Sequence, residues 1–259
     1  MKPNSESLGT LHERMARVKA GSAGDFHTNY FRQELTGQQI LSVATERTVL
    51  VFNNEHDFFR LYFFTTDPTD LEEVLRSTKF PGDTVTGYLT RSADQKITAA
   101  FLESGFGLIA TYRRMISYQL PAYRPDGTLQ YASVADVDQL HDRLLENFNK
   151  YTDHLPTKDR LHRFIENQWV IVSRDGDRIP GAVCFQLEGP RVNYNYVYSL
   201  TGNAVDFLRL QNKFYGLMQQ RGIHAGFLWL NENERPLARL HQSMGWQFDG
   251  LKDYFYLRE

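Results

Sequence analysis

The chain has one cysteine, Cys184, in 259 residues, which excludes an internal disulfide framework. Cys184 lies in the apolar run Gly181-Ala182-Val183-Cys184-Phe185 and reads as a packed thiol rather than a nucleophile. No apolar run approaches the roughly 18 residues needed to span a bilayer. No apolar signal region follows Met1-Lys2-Pro3-Asn4-Ser5. The expectation is a soluble, cytoplasmic protein with no membrane partner. Neither charge dominates: 29 Lys and Arg stand against 31 Asp and Glu, and a net charge of −2 argues against a general nucleic-acid binder. The eight histidines form no H-E-x-x-H and the chain has no C-x-x-C, so no metal site is expected. A G-x-S-x-G elbow and a Walker loop are also missing.

What is present suffices for a packed core, with 41% hydrophobic and 23% charged residues. The length fits one large domain or two small ones. Residues 4 to 20 carry Leu8, Leu11, Met15 and Val18 near helical spacing, and Ser22-Ala23-Gly24-Asp25 breaks that helix. Gln39–Ala44, Thr48–Phe52 and Phe58–Thr65 read as an antiparallel meander. A helix from Asp67-Pro68 to Lys79, a strand over Thr84–Thr90, a helix over Ser92–Ser104 and a strand over Gly107–Tyr118 follow. Pro121 to Gly127 is dense in turn formers and reads as a linker. The same plan then begins again. Tyr131–Ser133 reads as a short strand, and Val134–Asn149 and Thr157–Asn167 as helices. Trp169–Ser173 and Ile179–Leu187 form a hairpin around Asp175-Gly176. Val192–Ser199 is a strand, Asn203–Arg221 a long helix, Ala225–Leu230 a strand, Pro236–Met244 a helix, and Leu251–Leu257 the closing strand. Pro236 suits a first helical turn and Gly245 a left-handed stop.

The order of elements suggests a diverged repeat. Ala100 to Phe106 and Leu240 to Trp246 each precede a final strand. The segment Leu240-His241-Gln242-Ser243-Met244-Gly245-Trp246 resembles the L-Y-E-K-L-G-F signature that closes the GNAT acyltransferase domain. The resemblance covers the second half along its length. The first half looks like a shortened, degenerate copy. The expected fold class is α+β (mixed α/β), with two GNAT-like domains, each a splayed mixed sheet flanked by helices. Expected boundaries are an N-terminal helical segment at 1–35, a degenerate domain at 36–120, a linker at 121–128 and a GNAT domain at 129–259.

The resemblance implies an acyl-coenzyme A dependent N-acyltransferase. Acetyl-coenzyme A, or another acyl-coenzyme A, would lie between the strands Val192–Ser199 and Ala225–Leu230. The acceptor would be an amine of a small molecule or peptide, and a homodimer stays open. The pyrophosphate loop of the family maps onto Ser199, Leu200, Thr201, Gly202, Asn203 and Ala204. Gly202 and Ala204 keep its G-x-A part, while Ser199 replaces the usual Gln or Arg. Glycine there lets free N–H groups approach an anion at a helix start. The alternative is a plain turn capped by Thr201 or Asn203. Asn233 and Glu234 lie near the place of a cofactor-touching asparagine of the family, and either could take that role.

His241 stands where the family often has its tyrosine acid, and imidazole suits proton transfer near neutrality. It could equally be a packing residue. Tyr194, Tyr196 and Tyr198 alternate along one strand and are expected on one face. There they could line the acceptor pocket or supply the acid, or simply form core. Glu188, at the end of the preceding strand, is a candidate base. Tyr151, His154 and Arg160 fall in the acceptor-binding helix–loop–helix, where Arg160 could hold a carboxylate. The first half opens its matching helix with Asp67-Pro68-Thr69-Asp70-Leu71-Glu72-Glu73, which places like charges where a pyrophosphate would sit. That half is expected to be structural. A catalytically inactive GNAT-fold binding module, or a transferase using a different acyl donor, remains the alternative.

Overall fold

The computed structural model describes residues 1–21, 26–30, 40–55, 57–92, 94–123 and 130–259. The expected break at 22–25, residues 36–39 and positions 124–128 of the expected linker lie outside them. The chain divides into two compact units, Met1–Tyr112 with Leu251–Glu259, and Arg113–Gly250. Residues Leu251–Glu259, which hold most of the last strand of the sequence, therefore belong to the first unit.

The first unit starts with β1 (Asn4–Glu6), α1 (Leu8–Ala20) and β2 (His27–Thr28), then β3 (Ile40–Ala44), β4 (Thr48–Glu55) and β5 (Phe58–Thr65). Next come α2 (Pro68–Ser77), β6 (Thr84–Thr90), α3 (Gln95–Glu103) and the first half of β7 (Gly107–Ser117). Its sheet runs β1-β3-β4-β5-β6, followed by the closing strand β12 (Gln247–Arg258) and then β7. The expected helix at residue 4 is corrected. Asn4–Glu6 pair antiparallel with Ile40–Ser42, and Ser7 caps a helix that starts only at Leu8. Ser7 accepts the amide proton of Thr10, so the helix cannot extend backwards through it.

Alternation builds two layers on this sheet. Leu50, Phe52, Leu61 and Phe63 face α2 and α3 through Leu71, Leu75, Ile97 and Phe101. Val49, Val51, Tyr62 and Phe64 face α1 through Leu11 and Val18. Each such fully buried side chain contributes roughly 2 kcal/mol relative to exposure. Asp67 caps α2 by accepting from Thr69, and Pro68 fills the first turn.

The second unit holds α4 (Val137–Asn147), α5 (Lys158–Glu166), β8 (Val170–Asp175), β9 (Arg178–Glu188) and β10 (Arg191–Ser199). Then follow α6 (Ala204–Gln220), β11 (Ala225–Asn231) and α7 (Arg235–Ser243). Its sheet runs β7-β11-β10-β9-β8. The expected strand at Tyr131–Ser133 is only a bridge from Tyr131 to Ile171. Val183 and Phe185 pack under α6, and Ala182 and Cys184 under α4 and α5. Burial pushes the Cys184 thiol up to about 12, which keeps it protonated and inert. No helix among the described residues is long and apolar enough to cross a membrane.

Candidate functional site

In the second unit, β10 and β11 are parallel partners from Arg191/Ala225 to Tyr194/Leu228, and their pairing stops there. β10 continues to Ser199 on β9 alone, and β11 runs on to Asn231. Two central strands thus part halfway along their length. Gly226 permits the close approach below the opening. A Cβ there would lie 2.8 Å from both the carbonyl oxygen and Cγ1 of Val192, and 3.4 Å from the Trp246 ring.

The parting coincides with a β-bulge. Tyr194 pairs with Phe185, yet Tyr196 pairs with Cys184, so Asn195 is an extra residue on β10. This corrects the expectation that three tyrosines share a face. Tyr194 stacks on Phe214 of α6 at 4.5 Å, whereas Tyr196 and Tyr198 turn to the α4–α5 side. The alternation V-N-Y-N-Y-V-Y hides a one-residue insertion, because polar and aromatic positions look alike on both sides of it.

Tyr196 is nearly buried, and its hydroxyl donates to the carbonyls of His154 at 2.7 Å and Asp153 at 3.1 Å. Its ring meets Phe148 edge-on at 5.5 Å. The tyrosine thereby fixes the loop between α4 and α5 to the strand beside the opening. Tyr151 and His154 sit on that loop, with His154 in the left-handed region at φ 48°. Arg160 lies exposed in the first turn of α5, its guanidinium 5.6 Å from the Phe164 ring. The structure brings together Tyr196, Tyr151 and His154 from the proposed set. Tyr194 lies on the other face and Arg160 further along the helix.

Tyr198 is buried, and burial raises its phenol far above the ordinary value. Glu188 is exposed and pairs with Arg191 at the end of β10 where the strands are still joined. It therefore lies at the closed end of the strand pair. His241 is 1% exposed on the inner face of α7. Burial depresses its pKa to about 4, so the ring is neutral at neutral pH. His241 meets Tyr194 at 6.2 Å and Trp246 at 6.0 Å, both edge-on.

Sequence reasoning passed over Gln211 on α6, which is wholly buried beside this group. The Tyr194 hydroxyl, His241 Nδ1 and both amide atoms of Gln211 have no hydrogen-bond partner among the described residues. Gln211 lowers the strongly raised Tyr194 pKa a little without reaching hydrogen-bond geometry. Trp246 Nε1, by contrast, donates to Tyr215 at 2.9 Å. A buried glutamine carries no pattern that separates it from a surface one in sequence.

At the far end of β10, the loop Ser199–Ala204 turns into α6. Gly202 has φ 65°, and nothing stands within 4 Å of the place its Cβ would occupy. Leu200 donates to Pro180, Asn203 to Thr201 Oγ, and Val205 to the capping Asn203 Oδ1. The amides of Gly202 and Ala204 carry no hydrogen bond within the described residues. Asp206 in the next turn is offset by Arg209 at 3.4 Å. These features fit an anion such as a pyrophosphate. Asn233 is exposed in the turn after β11, its amide held by Asn231 Oδ1 at 3.0 Å.

The first unit has the same parting of parallel strands, between β5 and β6 after Leu61/Thr86. Its own chain occupies the gap. The Asn29 side chain donates to the carbonyls of Leu61 at 3.0 Å and Gly87 at 2.9 Å, and accepts the Phe63 amide at 2.7 Å. β2 extends this contact by pairing with Phe64 and Thr65. A hollow by the start of α2 is lined by Glu46, Asp67, Asp70 and Glu73, with Arg47 the one cation among the described residues of its wall. Both features disfavour a polyanionic ligand there.

No protein-family model matches the chain, and no curated protein matches its sequence. Solved structures do match in fold. A GCN5-related N-acetyltransferase from Sphaerobacter thermophilus aligns at TM-score 0.59 and 14% identity, over 86% of this chain and 81% of its own. A GNAT-family acetyltransferase from Colwellia psychrerythraea aligns at TM-score 0.59 and 10% identity, over 100% of both chains. A tandem GNAT protein from the clavulanic acid biosynthesis pathway aligns at TM-score 0.53 and 11% identity, over 99% of this chain and 97% of its own. The parted strands, the glycine loop and these alignments agree: the chain has the fold of the GNAT N-acetyltransferases.

Proposed function

We propose that the second unit is an acyl-coenzyme A dependent N-acyltransferase, with acetyl-coenzyme A as the simplest donor and an amine of a small molecule or peptide as acceptor. The observation that carries this reading is the parting of β10 and β11 above a glycine loop with unused amides at the start of α6. In this reading Gly202 and Ala204 receive the pyrophosphate, aided by Ser199, Leu200, Thr201, Asn203 and Asn233 around them. The thioester supplies the activated acyl group. The amine attacks its carbonyl, the new C–N bond replaces the C–S bond, and the amine proton passes to base while the thiolate is protonated. Tyr196 acts as a positioning residue, since its hydroxyl is committed to the loop that carries Tyr151 and His154. The first unit is structural, its gap closed by Asn29.

A second reading is favoured by one observation. His241 is buried and neutral at the position of the usual acid, which suits a binding module that has lost catalysis. Calorimetric titration with acetyl-coenzyme A, repeated on Gly202→Glu, separates these. Micromolar binding at one site per chain, abolished by the substitution, is the expected result. A protein that binds neither acetyl-coenzyme A nor coenzyme A is not a transferase of this kind. Binding without turnover across an amine panel would favour the second reading.

A further inference from the structure

A cavity of about 490 Å³ in the second unit lies beside the last residues of β11, on the outer face of α7. Among the described residues its walls carry Arg113, Arg235, Arg239 and Gln242, with one carboxylate, Glu232. Leu230, Ala238 and Phe248 supply apolar surface. We propose that this cavity binds a small organic acid, through its carboxylate or phosphate, with its apolar part against Leu230, Ala238 and Phe248.

The size is within the range of pockets that take small molecules. The spacing is also directed. Arg235, Ala238, Arg239 and Gln242 follow i, i+3, i+4 and i+7, so one helical stripe faces the cavity. His241 points to the opposite, buried side of the same helix. Among the described residues, three guanidinium groups against one carboxylate leave the wall two charges positive, in a chain whose net charge is −2.

Arg113, Arg235 and Arg239 make no ion pair with any described residue. The neighbouring Arg114 shows the contrast. It holds Asp249 Oδ2 through Nε at 3.0 Å and through a terminal nitrogen at 2.5 Å. Arg113 instead rests its guanidinium 3.8 Å from the centroid of the Phe248 ring. Stacking fixes the plane of that group and leaves its N–H edge for an anion. Planar donors around one cavity match the oxygens of a carboxylate or phosphate.

The proposal does not depend on acyl transfer by this unit. The test is calorimetric titration of the full chain at low ionic strength with two probes, glutarate and inorganic phosphate. Saturable binding of at least one probe is expected, weakened tenfold or more by Arg239→Glu and, independently, by Arg235→Glu. Both side chains are exposed, so melting temperature should hold in both variants. Affinity for acetyl-coenzyme A should also hold. Tighter glutarate binding would assign the site to carboxylates, and tighter phosphate binding to phosphate esters. Three results would overturn the proposal: no saturable binding of either probe, binding indifferent to both reversals, or reversals that weaken acetyl-coenzyme A and spare the probes.

Discussion

The Tyr196 hydroxyl and the carbonyl oxygen of His154 lie 2.7 Å apart, and this bond ties the edge of the strand opening to the loop after α4. Tyr196→Phe removes it while keeping the ring and its contact with Phe148. The two carbonyls lose their donor, and a stability loss of about 1–2 kcal/mol is expected in urea unfolding. If the loop holds the acceptor, KM for the amine should rise with kcat little changed. A fall in kcat alone would make Tyr196 a proton donor instead.

Asn29 holds both strands of the first unit's gap with one side chain. Asn29→Ala strands several buried backbone groups, so a loss of about 3 kcal/mol or more is expected by denaturant titration. Emptying the gap should not create a donor site, because the acidic start of α2 remains. Calorimetry on the variant should still give one coenzyme A site per chain, and a stoichiometry of two would refute the structural role of this unit.

The two units should respond to pH in opposite directions. His241 has a folded pKa of about 4, below its ordinary 6.5, because burial disfavours the charged ring. Its contribution is complete above pH 6.5 and is lost as pH falls towards 4. The full effect is about 3 kcal/mol. Asp253 of β12 behaves in reverse. Burial raises its carboxyl to about 7, partly countered by Arg60. Its contribution is complete below the ordinary carboxylate pKa of 3.8 and is lost as pH rises towards 7. Hydrogen exchange between pH 4 and 7 should show amides of α7 opening at the acid end and amides of β6 at the neutral end. Asp253→Asn should remove the second trend only.

Gly226→Ala should destabilise the second unit by about 1–3 kcal/mol through overpacking. The new methyl meets a backbone oxygen, which cannot rotate away as a side chain can. A thermal scan that shows no loss would mean that the two strands can separate at their joined end without cost.

Much of the architecture is legible in the sequence because periodicity and punctuation agree. Thr84–Thr90 is a strand over the expected span, and the caps at Asp67 and Asn203 and the stop at Gly245 fall where those residue types predict. The candidate site is less legible. A bulge at Asn195 leaves the composition of the strand unchanged while turning Tyr194 away from Tyr196. Asn29 and Gln211 are ordinary polar letters until distant strands and helices close around them. The arginines of the α7 cavity do carry a signal, R-x-x-x-R with Gln242 three residues on, but only the partner strands show that the stripe faces a hollow.

β6 takes Lys252–Arg258 as its antiparallel partner, so Thr90 waits for a strand made more than 160 residues later. The first unit therefore cannot finish its sheet while the ribosome is still making the second. The first unit cannot finish folding ahead of the second, although its residues are the first to be made. Synthesis exposes the open edge of β6 throughout, and a chain cut short before Leu251 would fail first in the half that was translated first.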